Sequence, residues 1–376
     1  MLIRTPHAFP SIQHTHPFIH AQPSCAILVD GTQVQQVSRS ELIRRLREHL
    51  GGTLVRLGGA FFVQQVGVPQ GSVLSTLLCS ALYADMEKSN QLGSGGGAAA
   101  DSGESLLLRW VDDFLFMTTS AEAATHFVAT LSGGFPEYGA TVSVSKTCLN
   151  FDAWGSDGRR LPRNEHATPD GRRHVRWCGL LIDSSSLEVQ ADNSRLMGIP
   201  IGDVVHTPGR DGPKPGAILA TRLRAYLRPK AAALLFDAEL NGATTAAVNV
   251  HQCFLVAALK LHAYVADALH RPNQDGLLLA AITDALRYGA RLVASRLQAA
   301  SGSPKLHPAL RGCAIKYLGI MAFHRVLSRK HSRYATLLAR LQKELSTQAM
   351  RAVARRPALA AAMEPARAEA FLKAKF

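Results

Sequence analysis

Leu106-Leu107-Leu108-Arg109-Trp110-Val111-Asp112-Asp113-Phe114-Leu115-Phe116-Met117-Thr118 is two short apolar runs joined by adjacent carboxylates. Runs of this length, rich in Leu, Val and aromatic residues, read as buried strands. Asp is disfavoured inside strands, so two of them mark a tight hairpin turn with both carboxylates at its tip. Adjacent carboxylates repel each other and are costly to desolvate, and a divalent cation relieves both effects. A lone Asp-Asp pair would read as an exposed turn. What surrounds this one gives it a chemical meaning.

Outward from the hairpin, the 376 residues allow two or three domains and a sizeable core, with an ordinary 47% hydrophobic content. No apolar stretch approaches the roughly 18 residues needed to span a bilayer, and no membrane partner is expected. The amino terminus, with Pro6, Pro10, His14, His16 and Pro17, lacks the apolar segment of a signal peptide. Six cysteines (Cys25, Cys79, Cys148, Cys178, Cys253, Cys313) have no zinc spacing and read as reduced, mostly buried thiols of an intracellular protein. The net charge of +14 is unevenly placed. From residue 191 onward 27 Lys and Arg face 11 Asp and Glu, whereas the first 190 residues hold 15 against 17. A near-neutral half with an acidic hairpin is joined to a basic half suited to gripping a polyanion.

Residues 1–24 have no periodicity and are expected to be a disordered leader. Cys25 to Val29 reads as a strand ending in Asp30-Gly31, and Glu41 to Leu50 as a helix with Ser38 and Ser40 as cap candidates. Residues 53–66 read as strand. Gly67-Val68-Pro69-Gln70-Gly71-Ser72 is a turn, and Ser72 can cap the amphipathic helix from Leu74 to about Glu87. A low-complexity loop from Gly93 to Ser105 leads into the hairpin. Beyond it, Ala121 to Leu131 is a predicted helix ended by Gly133-Gly134. A turn at 135–139 and a strand Thr141–Val144 lead to Lys146. Residues 152–173 read as a polar surface loop. His174–Ile182 and Leu187–Gln190 then flank Asp183 to Ser186 as a second hairpin. A Gly- and Pro-rich connector (Gly198 to Pro215) precedes helical patterns near 217–236, 243–270, 276–300 and 312–347. The fold class is therefore α+β, an antiparallel sheet with helices followed by an all-α basic domain.

The order of these features resembles motifs B, C, D and E of a reverse transcriptase palm. The wording of Val68–Ser80, Leu106–Leu115, Pro136-Glu137-Tyr138-Gly139 and Trp177–Asp183 looks like telomerase reverse transcriptase. Val111 precedes the Asp pair where retroviral and intron-encoded relatives carry Met or Ala. Val73-Leu74-Ser75 follows Ser72 where those relatives place a Pro. The resemblance implies a partial palm over 25–192 and a thumb over 193–376. It implies an RNA-directed DNA polymerase that adds telomeric repeats in the nucleus, at chromosome 3′ ends. Its partners would be a template RNA, a single-stranded telomeric DNA primer, the RNA–DNA hybrid and dNTPs.

Nucleotide addition is an in-line displacement served by two Mg²⁺ about 3.5–4 Å apart, and Mg²⁺ takes hard oxygen ligands. By the resemblance Asp112 is the principal metal ligand and Asp113 the auxiliary one. Val111, Gln70, Gly71 and Ser72 would lie by the nucleotide and template. Lys146 would neutralise or protonate the leaving pyrophosphate. Trp177, Cys178 and Gly179 would form the primer grip.

One part is missing from the pattern. The palm needs a third carboxylate, on the strand of motif A, and only 66 residues precede Gly67. Asp30 is the one candidate, yet no aromatic or second Asp follows it through Val37. Its segment looks more like the insertion strand just upstream of motif B. Met1 is accordingly read as an internal start or the edge of an incomplete gene model, and this chain alone is expected to be inactive. Two other readings stay open: a non-catalytic module that binds an RNA–DNA hybrid, and a retroelement reverse transcriptase.

Overall fold

The structure, a computed structural model, describes residues 37–65, 67–68, 71–72, 74–93, 104–168, 170–197, 199–207, 214–269, 274–299 and 305–375. The expected leader, the Cys25–Val29 strand, Asp30 and Gln70 lie outside them. The chain forms two compact units, Met1–Ser94 and Gly95–Phe376.

In the first unit, helix α1 (Arg39–Leu50) starts where Ser38 accepts the Glu41 amide at 3.2 Å. Residues 53–66, expected to be one strand, make a hairpin instead. β1 (Leu54–Leu57) pairs with β2 (Ala60–Val63) about Gly58-Gly59. The two glycines are the cause, since Gly58 takes φ +59°, which a β-branched strand residue would resist. Helix α2 (Ser75–Ser89) follows, with Met86 as its one buried residue among those described.

The second unit opens with the hairpin β3 (Ser105–Trp110) and β4 (Asp113–Thr118), paired from Ser105↔Thr118 to Trp110↔Asp113. Its strands are less buried than their composition suggested. Only Leu115 is buried, while Leu106, Leu108 and Trp110, alternate residues of one face, are exposed. Helix α3 (Ala121–Gly133) packs on β4 by stacking Phe127 against Phe116 at 4.5 Å between centroids. Ser120 caps its start and Gly134, at φ +70°, ends it.

Thr141–Val144 is not a strand. After the bridge Phe135↔Ala140 the chain turns into a 3₁₀ segment, Val144–Lys146. The Ser143 carbonyl accepts the Lys146 amide at 3.0 Å and the Thr147 hydroxyl at 3.1 Å, a local turn that displaces ladder bonding. The supposed loop 152–173 also contains structure. β5 (Ala153–Trp154) pairs with β6 (Arg160–Leu161), with Ala153 and Leu161 buried. β7 (His166–Ala167) joins a four-stranded antiparallel sheet. That sheet continues through β8 (Arg173–Trp177), β9 (Leu180–Asp183) and β10 (Val189–Ala191), in the order β10-β9-β8-β7. The 174–182 run is therefore two strands with a turn at Cys178-Gly179.

Helices α4 (Pro215–Leu227), α5 (Ala243–Ala268), α6 (Asp275–Ala299), α7 (Ala314–Leu327) and α8 (His331–Leu345) build the large core. α9 (Gln348–Ala354), α10 (Pro357–Ala362) and α11 (Glu369–Leu372) complete it. α4 stops at Leu227, short of the expected 236, because Pro229 cannot continue the ladder. The 312–347 pattern is two helices, parted at Ser328–Lys330, where the Ser328 hydroxyl bonds back to the His324 carbonyl at 2.7 Å. α5 is apolar nearly all round and is buried between α4, α7 and α10. No described helix is long and apolar enough to cross a membrane.

The sheet is tied to this core through its outer strand. Asn241 accepts the Val189 amide at 2.7 Å, and Asn249 donates to the Val189 carbonyl at 2.8 Å, so side-chain amides satisfy an edge that would otherwise be open. Beside them Glu188 sits at the start of α5. It accepts the Gly242 amide at 2.7 Å, the Thr245 hydroxyl at 2.6 Å and Arg172 at 3.0 Å. A carboxylate on a helix amino terminus is favoured by the free amides and the macrodipole.

Candidate active site

The turn of the 105–118 hairpin has two residues, Val111 and Asp112. Val111 has φ +60° and Asp112 does not share the positive sign. That is the signature of a type II′ hairpin, whose first turn position ordinarily takes Gly. A β-branched residue there is strained, at order 1–3 kcal/mol. Arg109 holds the turn by donating to the Val111 carbonyl at 2.9 Å.

Asp112 stands on the turn, Asp113 begins β4, and both are exposed, as is Val111. The desolvation cost that burial would impose does not fall on these exposed carboxylates. Water solvates them in this chain, and what remains is a pair of hard oxygen donors presented at a tip. Such donors fit Mg²⁺, which is held through one or two carboxylates with water and phosphate filling its shell. Among the described residues, no group of three or more His, Cys, Asp and Glu side chains could hold a metal.

The second hairpin meets this tip. Cys178 and Gly179 both have positive φ, +48° and +78°, a type I′ turn for which Gly179 is suited. The turn carries Trp177 and Cys178 onto Asp113. The Trp177 indole N–H donates to the Asp113 carbonyl at 3.3 Å, and the Cys178 thiol donates to Asp113 Oδ2 at 3.7 Å. Partial burial pushes the Cys178 thiol up to about 11, helped by the Asp113 and Asp112 carboxylates, so it stays protonated and a donor. The expectation of mostly buried thiols fails here. Of the five described cysteines only Cys253 is buried, and Cys178 is exposed.

Gln70 lies outside the described residues. Gly71 takes φ +86° with no atom within 4 Å of where a Cβ would stand, so the position needs Gly for its backbone. Ser72 accepts the Leu74 amide at 3.2 Å, a turn before α2. Both belong to the Met1–Ser94 unit. Lys146 is exposed on its 3₁₀ turn, and no hydrogen bond or ion pair joins it to Asp112 or Asp113. Sequence reasoning missed two things, the contact of Cys178 and Trp177 with Asp113 and the support from Arg109. The Gly after Cys178 was the signal for a turn there.

An Asp pair on a hairpin tip, backed by a second hairpin from an antiparallel sheet, is the arrangement expected from the resemblance to a reverse transcriptase palm. The reverse transcriptase (RNA-dependent DNA polymerase) family model matches residues 25–198, and that of the telomerase reverse transcriptase C-terminal extension matches 218–342. The chain belongs to the telomerase reverse transcriptase family. It is 32% identical over 329 residues to telomerase reverse transcriptase of Oryza sativa subsp. japonica, covering 85% of this chain and 26% of that protein. The Arabidopsis thaliana protein is 31% identical, with coverage of 86% and 30%. That of Bos taurus is 34% identical, with 92% and 29%. The chain thus spans under a third of the relatives it matches. Its fold is similar to that of telomerase from Candida albicans, solved in complex with a TWJ fragment of telomeric RNA. The TM-score is 0.51 at 15% identity, over 85% of this chain and 42% of that one.

Proposed function

We propose that this chain is the carboxy-terminal part of a telomerase catalytic subunit, with a partial palm over 25–192 and a helical thumb over 193–376. As part of a full enzyme it serves RNA-templated addition of telomeric DNA to chromosome 3′ ends in the nucleus. The observation that carries this reading is the meeting of Trp177 and Cys178 with Asp113 across 64 and 65 positions of sequence. It joins the carboxylate tip to the proposed primer grip in one site.

Asp112 and Asp113 are assigned to hold Mg²⁺, which when bound supplies charge neutralisation and orientation for in-line phosphoryl displacement. Asp112 is the principal ligand. Asp113, fixed through its carbonyl by Trp177 and through one oxygen by Cys178, offers its remaining lone pairs. Val111 backs the nucleotide pocket. Its positive φ aims the following carboxylate outward from the tip. By the resemblance, Gln70, Gly71 and Ser72 are assigned to bind the nucleotide and template. Gly179 keeps the grip turn tight, so that Trp177 and Cys178 reach the primer end beside Asp113. Lys146 is assigned to the leaving pyrophosphate as a cation. The basic thumb grips the hybrid by its phosphates, with template RNA, telomeric primer and dNTPs as partners.

Two carboxylates do not clamp two ions, so the purified chain alone is expected to give no primer extension with an RNA template in Mg²⁺. Binding of Mn²⁺, measured by electron paramagnetic resonance, is expected and is lost in Asp112→Ala. Robust extension by the isolated chain, abolished by Asp112→Ala, would contradict the incomplete-site reading. Mn²⁺ binding unchanged by that substitution would contradict the assignment of the tip.

A further inference from the structure

Most basic side chains that the helices hold partly buried have a visible partner. Arg356 donates to the Ala309 and Arg311 carbonyls at 2.8 and 3.0 Å. Arg325 donates to the Met363 carbonyl, Arg329 to those of Phe371 and Ala374, and Arg333 to those of Val265 and Leu269. A group at the junction of α4 and α5 departs from this. Arg222 and Tyr226 are one turn apart on α4, Lys260 and Tyr264 one turn apart on α5, and Lys230 ends the 3₁₀ segment after α4. The Lys260 ammonium lies 5.0 Å from the Tyr226 ring centroid. Arg222, Lys230 and Lys260 are all half-buried. Among the described residues none of the three forms an ion pair with an acid. The Tyr226 hydroxyl is buried without a hydrogen-bond partner.

Burying cations without a counterion is unfavourable, and an unpaired buried hydroxyl adds to the penalty. Both are relieved by a ligand that is anionic and accepts several hydrogen bonds. A phosphate group meets that description, with two nonbridging oxygens in a diester and three in a terminal phosphate to accept from ammonium, guanidinium and phenol donors. The stacking of Lys260 on an aromatic ring holds the ammonium in place before the ligand arrives. Burial and the nearby Lys230 ammonium both lower the Lys260 pKa, the effect a counter-anion reverses.

We infer that Arg222, Tyr226, Lys230 and Lys260 form a binding site for one phosphate group, supplied either by a nucleic-acid backbone or as free pyrophosphate. The backbone source rests on the proposed function, in which this half grips a hybrid. The free-phosphate source does not. A plain solvated lysine would leave stability unchanged when neutralised, whereas an uncompensated half-buried one opposes folding of the free protein. That difference gives the test.

The full 376-residue chain and its Lys260→Met and Lys230→Met variants are melted with and without pyrophosphate. They are then titrated with an RNA–DNA hybrid over a range of salt. Lys260→Met keeps the apolar stem and is expected to raise the melting temperature in phosphate-free buffer. It is also expected to remove the stabilisation by pyrophosphate. If the backbone is the source, each variant also lowers the salt slope of hybrid binding by about 1. If free pyrophosphate is the source, that slope is unchanged. Asp112→Ala alters none of these readings, so their failure leaves the hairpin assignment standing, and the reverse holds as well. Equal pyrophosphate stabilisation and equal hybrid slopes in wild type and both variants would overturn the inference.

Discussion

Val111 breaks a local rule at the point where the chemistry is assigned. Gly would adopt its φ of +60° without steric penalty, yet the chain places a β-branched residue there. Val111→Gly is therefore expected to slow amide hydrogen exchange in 105–118 by stabilising the hairpin by about 1 kcal/mol. It is also expected to weaken nucleotide use wherever the complete site is assembled. Faster exchange in the variant would show that the turn is not strained. At this scale the sequence was partly legible. The Asp pair and its turn were plain from composition. The sign of φ at Val111 was not, because residue type argues against it. The thiol of Cys178 could not be placed on Asp113 either, since that contact depends on how two hairpins are laid together by the sheet and core around them.

The elements beneath the site are held by a small number of polar latches and close approaches. Glu188 joins the sheet that carries the Trp177–Gly179 turn to the amino terminus of α5. Its carboxyl is held below the usual range by the Thr245 hydroxyl, the Gly242 amide and Arg172, against the opposing effect of its burial. Glu188→Gln keeps the shape and removes the charge. A loss of about 2 kcal/mol is expected in urea unfolding, from hydrogen bonds to a charged group. An unchanged midpoint would mean the latch is redundant with Asn241 and Asn249. Where α5 and α6 pack, a Cβ on Gly289 would stand 2.5 Å from Cζ of the buried Phe254 ring. Gly289→Ala is expected to destabilise by about 1–3 kcal/mol in the same assay, the range for an overpacked core. Periodicity revealed most of the helices, and the boundaries it missed fall at Pro229 and Ser328, which act on the backbone itself. The sheet was harder to read. Two-residue strands such as His166–Ala167 are too short to show alternation, and Thr141–Val144 had strand composition with a Ser143 carbonyl ready to make a turn.

At the scale of the whole chain, buried histidines limit stability in acid, and burial lowers the pKa of both His251 and His262 to about 4. His251 is fully buried in α5 with Nδ1 bonded to the Leu318 carbonyl at 3.0 Å and Nε2 without a partner. Burial lowers its pKa to about 4, the Leu318 bond opposing and the Arg325 charge adding to the fall. Between an unfolded value of about 6.5 and the folded one, the unfolded chain binds a proton that the folded chain refuses. Stability is therefore full above pH 6.5 and declines as pH falls through this window, by about 3 kcal/mol from this group. His251→Gln is expected to flatten that decline in urea midpoints measured from pH 7 to pH 4. An identical slope would remove His251 from the account.

The charge asymmetry, the order of the motifs and the helical content were legible at this scale. At the candidate site, the hairpin with Asp112 and Asp113 at its tip was legible in the sequence, and a further carboxylate to join them was not. The measurement that bears most directly on the central claim is telomeric primer extension by a chimera. In it, residues 67–376 of this chain replace the matching segment of the Arabidopsis thaliana telomerase reverse transcriptase, assembled with that enzyme's own template RNA. Extension is predicted with the wild-type segment, and its loss with Asp112→Ala or Asp113→Ala. A chimera that folds and holds its RNA but does not extend, or one whose activity survives both substitutions, would contradict the assignment of this hairpin as the catalytic tip.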